Sequence, residues 1–137
     1  CASPNFWSFL EKMKDHKSDK LRFAVNSNLG GNFKRIQRLI DASYQLPIKE
    51  FDLYTSNESF GPHAEYIRDG LIYDEWRSHT VAFLEGVNKD IFRSLTVMMT
   101  INSLCLFSIT EFLDVIEKFF GSRNMRSQSW RKRSPEW

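Results

Sequence analysis

Three short apolar runs in this chain each end at a cluster of small polar residues, and a helix pattern follows each cluster. The pairs are residues 21–25 with Asn26-Ser27-Asn28, residues 51–54 with Thr55-Ser56-Asn57-Glu58, and residues 95–99 with Thr100-Ile101-Asn102. Strands that alternate with helices favour right-handed crossovers and a parallel sheet. The carboxyl ends of parallel strands share one edge, where ligands bind in barrels and in open sheets. The pattern therefore predicts an α/β fold with a site built from strand ends.

Capping signals and helical spacing place helices around these strands in the order α-β-α-β-α-α-β-α. Ser3-Pro4 offers a capping hydroxyl and a proline for the first helix, and residues 17–20 are predicted to form a solvated turn. The third apolar run is nearly continuous, which predicts a strand covered on both faces. We therefore predict a partial parallel (β/α) barrel fragment with about three strands and flanking helices.

The last predicted helix has the clearest start signal. Ser108 and Glu111 have the spacing of a capping box, and Phe107 and Phe112 have that of a hydrophobic staple. Gly121 is predicted to end the helix. Apolar residues at helical spacing predict its buried stripe, which consists of Phe112, Leu113, Ile116, Phe119 and Phe120.

Length and composition describe one globular domain or a piece of one. The chain has 137 residues, of which 42% are hydrophobic, and a formal net charge of +2. No apolar run approaches the roughly 20 residues of a membrane span, so no membrane partner is predicted. Residues 123–133 carry five basic side chains and no acid. Because these charges lack interleaved stacking motifs, we do not predict a nucleic-acid partner.

The cysteines and histidines give no catalytic or metal-binding constellation. Cys1 and Cys105 have neither the spacing of metal ligands nor that of a disulfide framework, and we predict a buried thiol at Cys105 and a cytoplasmic setting. His16, His63 and His79 are predicted to be solvated or packed rather than catalytic, since no nucleophile–base arrangement accompanies them.

Residues 55–68 carry the most specific candidate site. Ser56, Asn57 and Glu58 bring a hydroxyl, an amide and a carboxylate to one strand end, and Arg68 follows on a short predicted helix. A carboxylate can bind ribose hydroxyls, and an arginine can bind a ligand carboxylate through two hydrogen bonds. The alternative is a solvated loop with a surface salt bridge between Glu58 and Arg68. The sequence leaves both interpretations open.

Read in order, these segments resemble the core of a radical SAM enzyme, the group that cleaves S-adenosylmethionine (SAM) reductively at a [4Fe-4S] cluster. The resemblance covers residues 3–120 and is closest to the subgroup with a twitch extension. It rests on the helix start Ser3-Pro4-Asn5-Phe6-Trp7, on Ser27-Asn28-Leu29 after the third strand of that family, on the fourth strand Phe51-Asp52-Leu53-Tyr54-Thr55-Ser56, on Ala64-Glu65-Tyr66-Ile67-Arg68-Asp69-Gly70, and on residues 95–102 and 109–120 as the fifth strand and its helix.

The resemblance implies a set of SAM-binding residues at the strand ends. Ser56 and Arg68 match positions that bind the SAM carboxylate, and Glu58, with Asn57, matches positions that face the ribose. Asn102 matches a polar position of the fifth strand, and Asn28 is placed at the rim of the pocket.

The resemblance also implies what lies outside this stretch. The family's Cys-x₃-Cys-x₂-Cys loop, its Gly-Gly-Glu motif and its sixth strand are not in the chain. We therefore expect an internal fragment, with residues 1–121 as a portion of the (β/α)₆ core and residues 122–137 as a loose basic tail. The cluster ligands would lie elsewhere, and this stretch alone would be inactive. The expected partners are a peptide or small-molecule substrate and a reductant for the cluster.

The second interpretation is a non-catalytic α/β binding or interaction domain, in which the strand-end polar residues are ordinary caps.

Overall fold

The computed structural model describes residues 3–16, 18–88 and 92–121. Within them the order of helices and strands is the predicted one. The elements are α1 (Pro4–Met13), β1 (Ser18–Asn26), α2 (Phe33–Gln45), β2 (Ile48–Ser56), α3 (Gly61–Ile67), α4 (Tyr73–Asn88), β3 (Ser94–Met98), a 3₁₀ turn (Cys105–Phe107) and α5 (Ile109–Gly121). The predicted basic tail, residues 122–137, lies outside the described residues. No helix in the described part of the chain is both long and apolar enough to span a membrane.

The strands in the described ranges form one parallel sheet in the order β1-β2-β3. Val25 is opposite Leu53 on β2, and Leu53 is opposite Leu95 on β3. The α/β class with a parallel sheet and flanking helices is thus confirmed. The sheet itself is open, with β1 and β3 as its edges among these strands.

The start of β1 differs from the prediction. Residues 18–20 were expected in a solvated turn but belong to the strand, because the Ser18 amide donates to the Pro47 carbonyl and Ser18 pairs with Ile48. The register then shifts between Ser18 and Arg22, and the Ser18 hydroxyl accepts from the Leu21 amide inside this irregularity. Bulged pairing of this kind depends on the partner strand, which local sequence does not reveal.

Helices cover one face of the sheet. On that face Phe51 and Leu53 are buried, and Thr55 accepts a hydrogen bond from Trp76 of α4. On β1, Ala24 and Asn26 lie on the opposite face of the sheet, and both are exposed. We refer to the second face, which carries Arg22, Ala24, Asn26, Asp52, Tyr54, Ser56, Ser94 and Thr96, as the uncovered face.

Two further predictions about burial are wrong because they assumed neighbouring elements that the described part of the fold does not supply. The third strand was expected to be covered on both faces, but Leu95 is buried while Thr96 is exposed. On α5 only Phe112 of the expected stripe is buried; Leu113 is 48% exposed, and the other three members are half-buried. Few described elements lie next to this end of the sheet, so the apolar face of α5 is only partly covered.

Candidate functional site

The three strand ends lie side by side at one edge of the sheet. Asn26, the last residue of β1, is opposite Tyr54, and Ser56 is opposite Met98. The hydrogen bonds between neighbouring strands continue one residue beyond the end of β1 and one residue beyond the end of β2. The Ser27 amide donates to the Tyr54 carbonyl at 2.9 Å, and the Asn57 amide donates to the Met98 carbonyl at 3.2 Å. The polar clusters that follow β1 and β2 therefore begin next to each other.

An asparagine forms the same local turn after every strand. The Oδ1 atoms of Asn28, Asn57 and Asn102 accept hydrogen bonds from the backbone amides two residues further on, at 3.1, 3.3 and 2.9 Å respectively. Asparagine side chains commonly mimic a backbone turn in this way. One function of the clusters is thus to turn the chain from a strand toward the next helix.

These asparagines differ in burial. Asn28 and Asn102 are exposed, whereas Asn57 is completely buried. The buried Nδ2 atom of Asn57 has no hydrogen-bond partner among the described residues. A buried amide left unpaired in this way costs about 1–3 kcal/mol. Asn57 therefore presents an unused donor at the end of the central strand, while the half-buried Ser56 lies beside it on the uncovered face.

Glu58 and Arg68 contact each other directly. Both the Nε and the Nη2 atoms of Arg68 donate to Oε2 of Glu58, at 2.8 and 2.6 Å. The salt bridge of the alternative interpretation is therefore formed, but it is largely buried rather than solvated, since the side chain of Glu58 is 5% exposed and that of Arg68 is 28% exposed. Oε1 of Glu58 and Nη1 of Arg68 make no hydrogen bond to the described residues, so each group retains polar atoms for a ligand.

Aromatic side chains from α4 line the second strand end, and they were not predicted to belong to a site. Trp76 donates to the Thr55 hydroxyl at 3.1 Å, and Tyr73 packs against both Trp76 and Phe60. Tyr73 is buried with its hydroxyl unpartnered among the described residues, and this burial raises the pKa of the phenol above its usual value. The signal in the sequence was the i, i+3 spacing of two aromatic residues at the start of α4.

Ser108 has a different role from the predicted one. Its hydroxyl lies 2.6 Å from the Ser59 hydroxyl and accepts a hydrogen bond from the Phe60 amide at 3.1 Å. The predicted capping box with Glu111 and the staple with Phe107 are not formed; Phe107 is 75% exposed. The hydroxyl instead ties the start of α5 to the loop after β2, because buried backbone donors there need a partner.

His79 also serves the strand ends, through a contact across the fold. It is 2% exposed, and its Nδ1 lies 2.6 Å from the carbonyl oxygen of Leu29, so it is packed, as predicted for a non-catalytic histidine. Leu29 has a positive φ of 52°, which is uncommon for a residue other than glycine. The histidine holds this loop conformation from α4.

The described residues offer no set of ligands for an iron–sulfur cluster. Within the described ranges no group of three His, Cys, Asp or Glu side chains is arranged to hold a metal ion. Cys105 is buried as predicted, and its sulfur lies 3.2 Å from the Asn102 amide and 3.0 Å from the Asn102 carbonyl oxygen. Cys105 is therefore a local structural thiol.

Comparisons with known proteins identify no family. No family model matches the chain, and neither a curated protein nor a solved structure matches it.

Proposed function

We propose that this chain is part of the core of a radical SAM enzyme, and that its strand ends contribute ribose and carboxylate contacts to SAM. In this proposal the sheet is a portion of a (β/α)₆ barrel, and the uncovered face forms part of the barrel interior. The substrate would be a peptide or a small molecule that reacts against this wall.

The observation that carries the proposal is the uncovered face of an all-parallel sheet. Parallel sheets occur almost only where both faces are covered, either by helices or by the closure of a barrel. Here Ala24, Asn26 and Thr96 are exposed on a face that also carries Tyr54 and Ser56. A barrel interior accounts for such a face, since its inward side chains are covered by strands that these three do not include.

The candidate residues have chemistry that suits the two polar ends of SAM. Ser56 lies at the carboxyl end of β2 on the uncovered face, and Arg68 retains its Nη1 donors for a carboxylate. Glu58 retains Oε1 for ribose hydroxyls, and the unpaired Nδ2 of Asn57 is a further donor. Glu58 and Arg68 also compensate each other's charge, so a ligand would share both groups with this ion pair. No cluster ligands are assigned to this chain, and the iron–sulfur chemistry would come from outside it.

The second candidate function is a non-catalytic α/β binding or interaction domain. The three asparagine turns favour it, because each Oδ1 atom is already used to cap the chain locally. In this interpretation Asn28 and Asn102 shape loops and do not bind a cofactor.

SAM binding to the 137-residue chain separates the two candidates. We expect weak but saturable binding, seen by ¹H–¹⁵N NMR as shifts of the amide signals of residues 56–58 and 68. Ser56→Ala and Arg68→Lys should each weaken binding by about tenfold or more, since each removes a hydrogen bond to a charged group.

Matched controls are Ser78→Ala and Arg77→Lys, which change exposed residues of α4 that make no hydrogen bond to the strand ends. Arg68→Lys keeps a positive charge beside the buried Glu58, so it preserves the fold better than an alanine. The absence of localised shifts, or wild-type affinity in both site variants, would remove SAM from this chain and leave the binding domain as the better interpretation.

A further inference from the structure

A cleft between α1 and α2 lies in the helical layer, away from the uncovered face. It has a volume of about 560 Å³ and is lined by Pro4 and Trp7 of α1 and by Lys34, Arg35 and Arg38 of α2. Nothing in the proposed SAM site uses these residues.

The polar lining of this cleft has one sign of charge. Its three charged residues are all basic, and they lie within five consecutive positions of one helix, so that Lys34 and Arg38 are i, i+4 neighbours. None of the three forms an ion pair with a described residue, whereas Lys14, Arg22, Arg68 and Arg93 all do. Like charges at this spacing repel one another on a helix. An anion in the cleft would relieve that repulsion.

One of the three cations is held in place. The guanidinium carbon of Arg38 lies 4.2 Å from the centre of the Trp7 ring, within the range of a cation–π contact. Trp7 is in turn fixed by an edge contact with Phe6 at 5.2 Å between ring centroids. Stacking uses the flat face of the guanidinium and leaves its N–H donors at the edge available. Arg38 is thus oriented before any ligand arrives.

The end of α2 adds to the positive field. The helix begins at Phe33, its first turn contains no acidic residue, and Lys34 and Arg35 are among its first residues. The positive end of a helix dipole favours an anion nearby. Here the dipole supplements a cleft whose side chains already have the required charge.

We propose that this cleft binds a small molecule that carries phosphate groups, such as a phosphomonoester or a diphosphate. Three basic side chains from the first two turns of one helix line the same cleft, and their donors match the several oxygens of a phosphate. Nucleic acid fits less well, because the chain as a whole has a net charge of only +2. The proposal is independent of SAM binding at the strand ends.

The test is calorimetric titration of the 137-residue chain with inorganic pyrophosphate at low ionic strength. We expect saturable binding that weakens about tenfold or more in Arg35→Gln, because a charge-assisted hydrogen bond is lost. Arg38→Lys keeps the charge but loses the planar stack on Trp7, and it should weaken binding as well. These side chains are exposed, so the variants should fold normally.

Lys49→Gln is the matched control, since it removes one exposed charge at the opposite end of the sheet and should bind like the wild type. Pyrophosphate binding that is absent, or equally weakened by Lys49→Gln, would overturn the proposal. The proposal would also be overturned if the chain bound a single-stranded oligonucleotide or phosphatidylserine vesicles clearly more tightly than pyrophosphate through the same three residues. In that case the ligand would be a macromolecular surface.

Discussion

Asp52 shows how a charge is kept within this sheet. It is 4% exposed in the middle of β2, where its Oδ1 accepts hydrogen bonds from Nε of Arg93 at 2.8 Å and from the Ser94 hydroxyl, and its Oδ2 contacts Nη2 of Arg93. Burial by itself would raise the pKa of Asp52. The hydrogen bonds from Arg93 and Ser94 and the positive charges of Arg93 and Arg22 outweigh that effect and hold the pKa below its ordinary value of 3.8.

The lowered pKa of Asp52 makes the stability of the fold sensitive to acid. A carboxyl with a lower pKa in the folded than in the unfolded state stabilises the protein above the unfolded value, and this contribution is lost as pH falls through the folded value. We expect Asp52→Asn to lower the free energy of unfolding at pH 7 by about 1–3 kcal/mol. The difference from the wild type should shrink below pH 3.8.

Urea unfolding at several pH values measures both effects. Asp114→Asn on the exposed side of α5 is the matched control, and its stability at pH 7 should be close to that of the wild type. An Asp52→Asn protein with the same loss of stability between neutral and acidic pH as the wild type would contradict this account.

At the scale of single residues, the sequence predicted where polar residues lie along the strands better than it predicted which residues they contact. Ser56, Asn57 and Glu58 follow a strand end, which is visible from local pattern. The partners of Ser108, which are Ser59 and Phe60, lie 49 and 48 residues away along the chain. A capping box was the best local interpretation of Ser108, and only the folded chain shows the competing partners.

Between elements, His79 connects α4 to the loop that follows β1. The contact joins residues 50 positions apart, and it holds Leu29 in a left-handed backbone conformation. Because Leu29 is completely buried, water cannot replace the histidine as a donor to its carbonyl. The loop at the first strand end is therefore set by a helix that follows the second strand.

This connection predicts different outcomes for two substitutions of His79. His79→Phe keeps an aromatic ring but loses the hydrogen bond, and it should lower the free energy of unfolding by about 1–3 kcal/mol. His79→Asn keeps a donor near the position of Nδ1 and should recover the amide signals of residues 27–31 that His79→Phe perturbs.

Denaturant unfolding and NMR measure these effects, with His63→Phe in the exposed part of α3 as the control. If His79→Phe were as stable as the wild type, the hydrogen bond to Leu29 would have no structural role.

The centres of the helices and strands could be predicted from the sequence, whereas their ends and their degree of burial were harder to predict. Apolar runs located the centre of every described strand, and capping signals and helical spacing placed the helices in the correct order around them. The start of β1 and the half-covered stripe of α5 were missed, because both depend on what lies opposite in the fold and not on the segment itself.

At the scale of the whole molecule, several exposed apolar side chains lie close together along the chain after β3. Phe107 is 75% exposed, Ile101 66% and Leu106 60%, all within one loop and its 3₁₀ turn. Clustered exposed apolar groups promote association between molecules. We expect the chain to self-associate as its concentration rises, and Leu106→Ser with Phe107→Ser to reduce this association.

Sedimentation velocity over a concentration series tests this expectation. Ile72→Ser is a suitable control, since Ile72 is 52% exposed but lies before α4, outside that loop. Association unchanged by the double substitution would assign it to another surface, such as the edges of the sheet.

The order of the strands in the sheet bears on how the chain reaches its fold. Because β1, β2 and β3 are neighbours in the order in which they are synthesised, β1 and β2 can pair before β3 has emerged from the ribosome. Each later strand then adds at a free edge, next to the strand that precedes it along the chain. None of these three strands has to be inserted between two that already pair, so their folding can keep pace with translation.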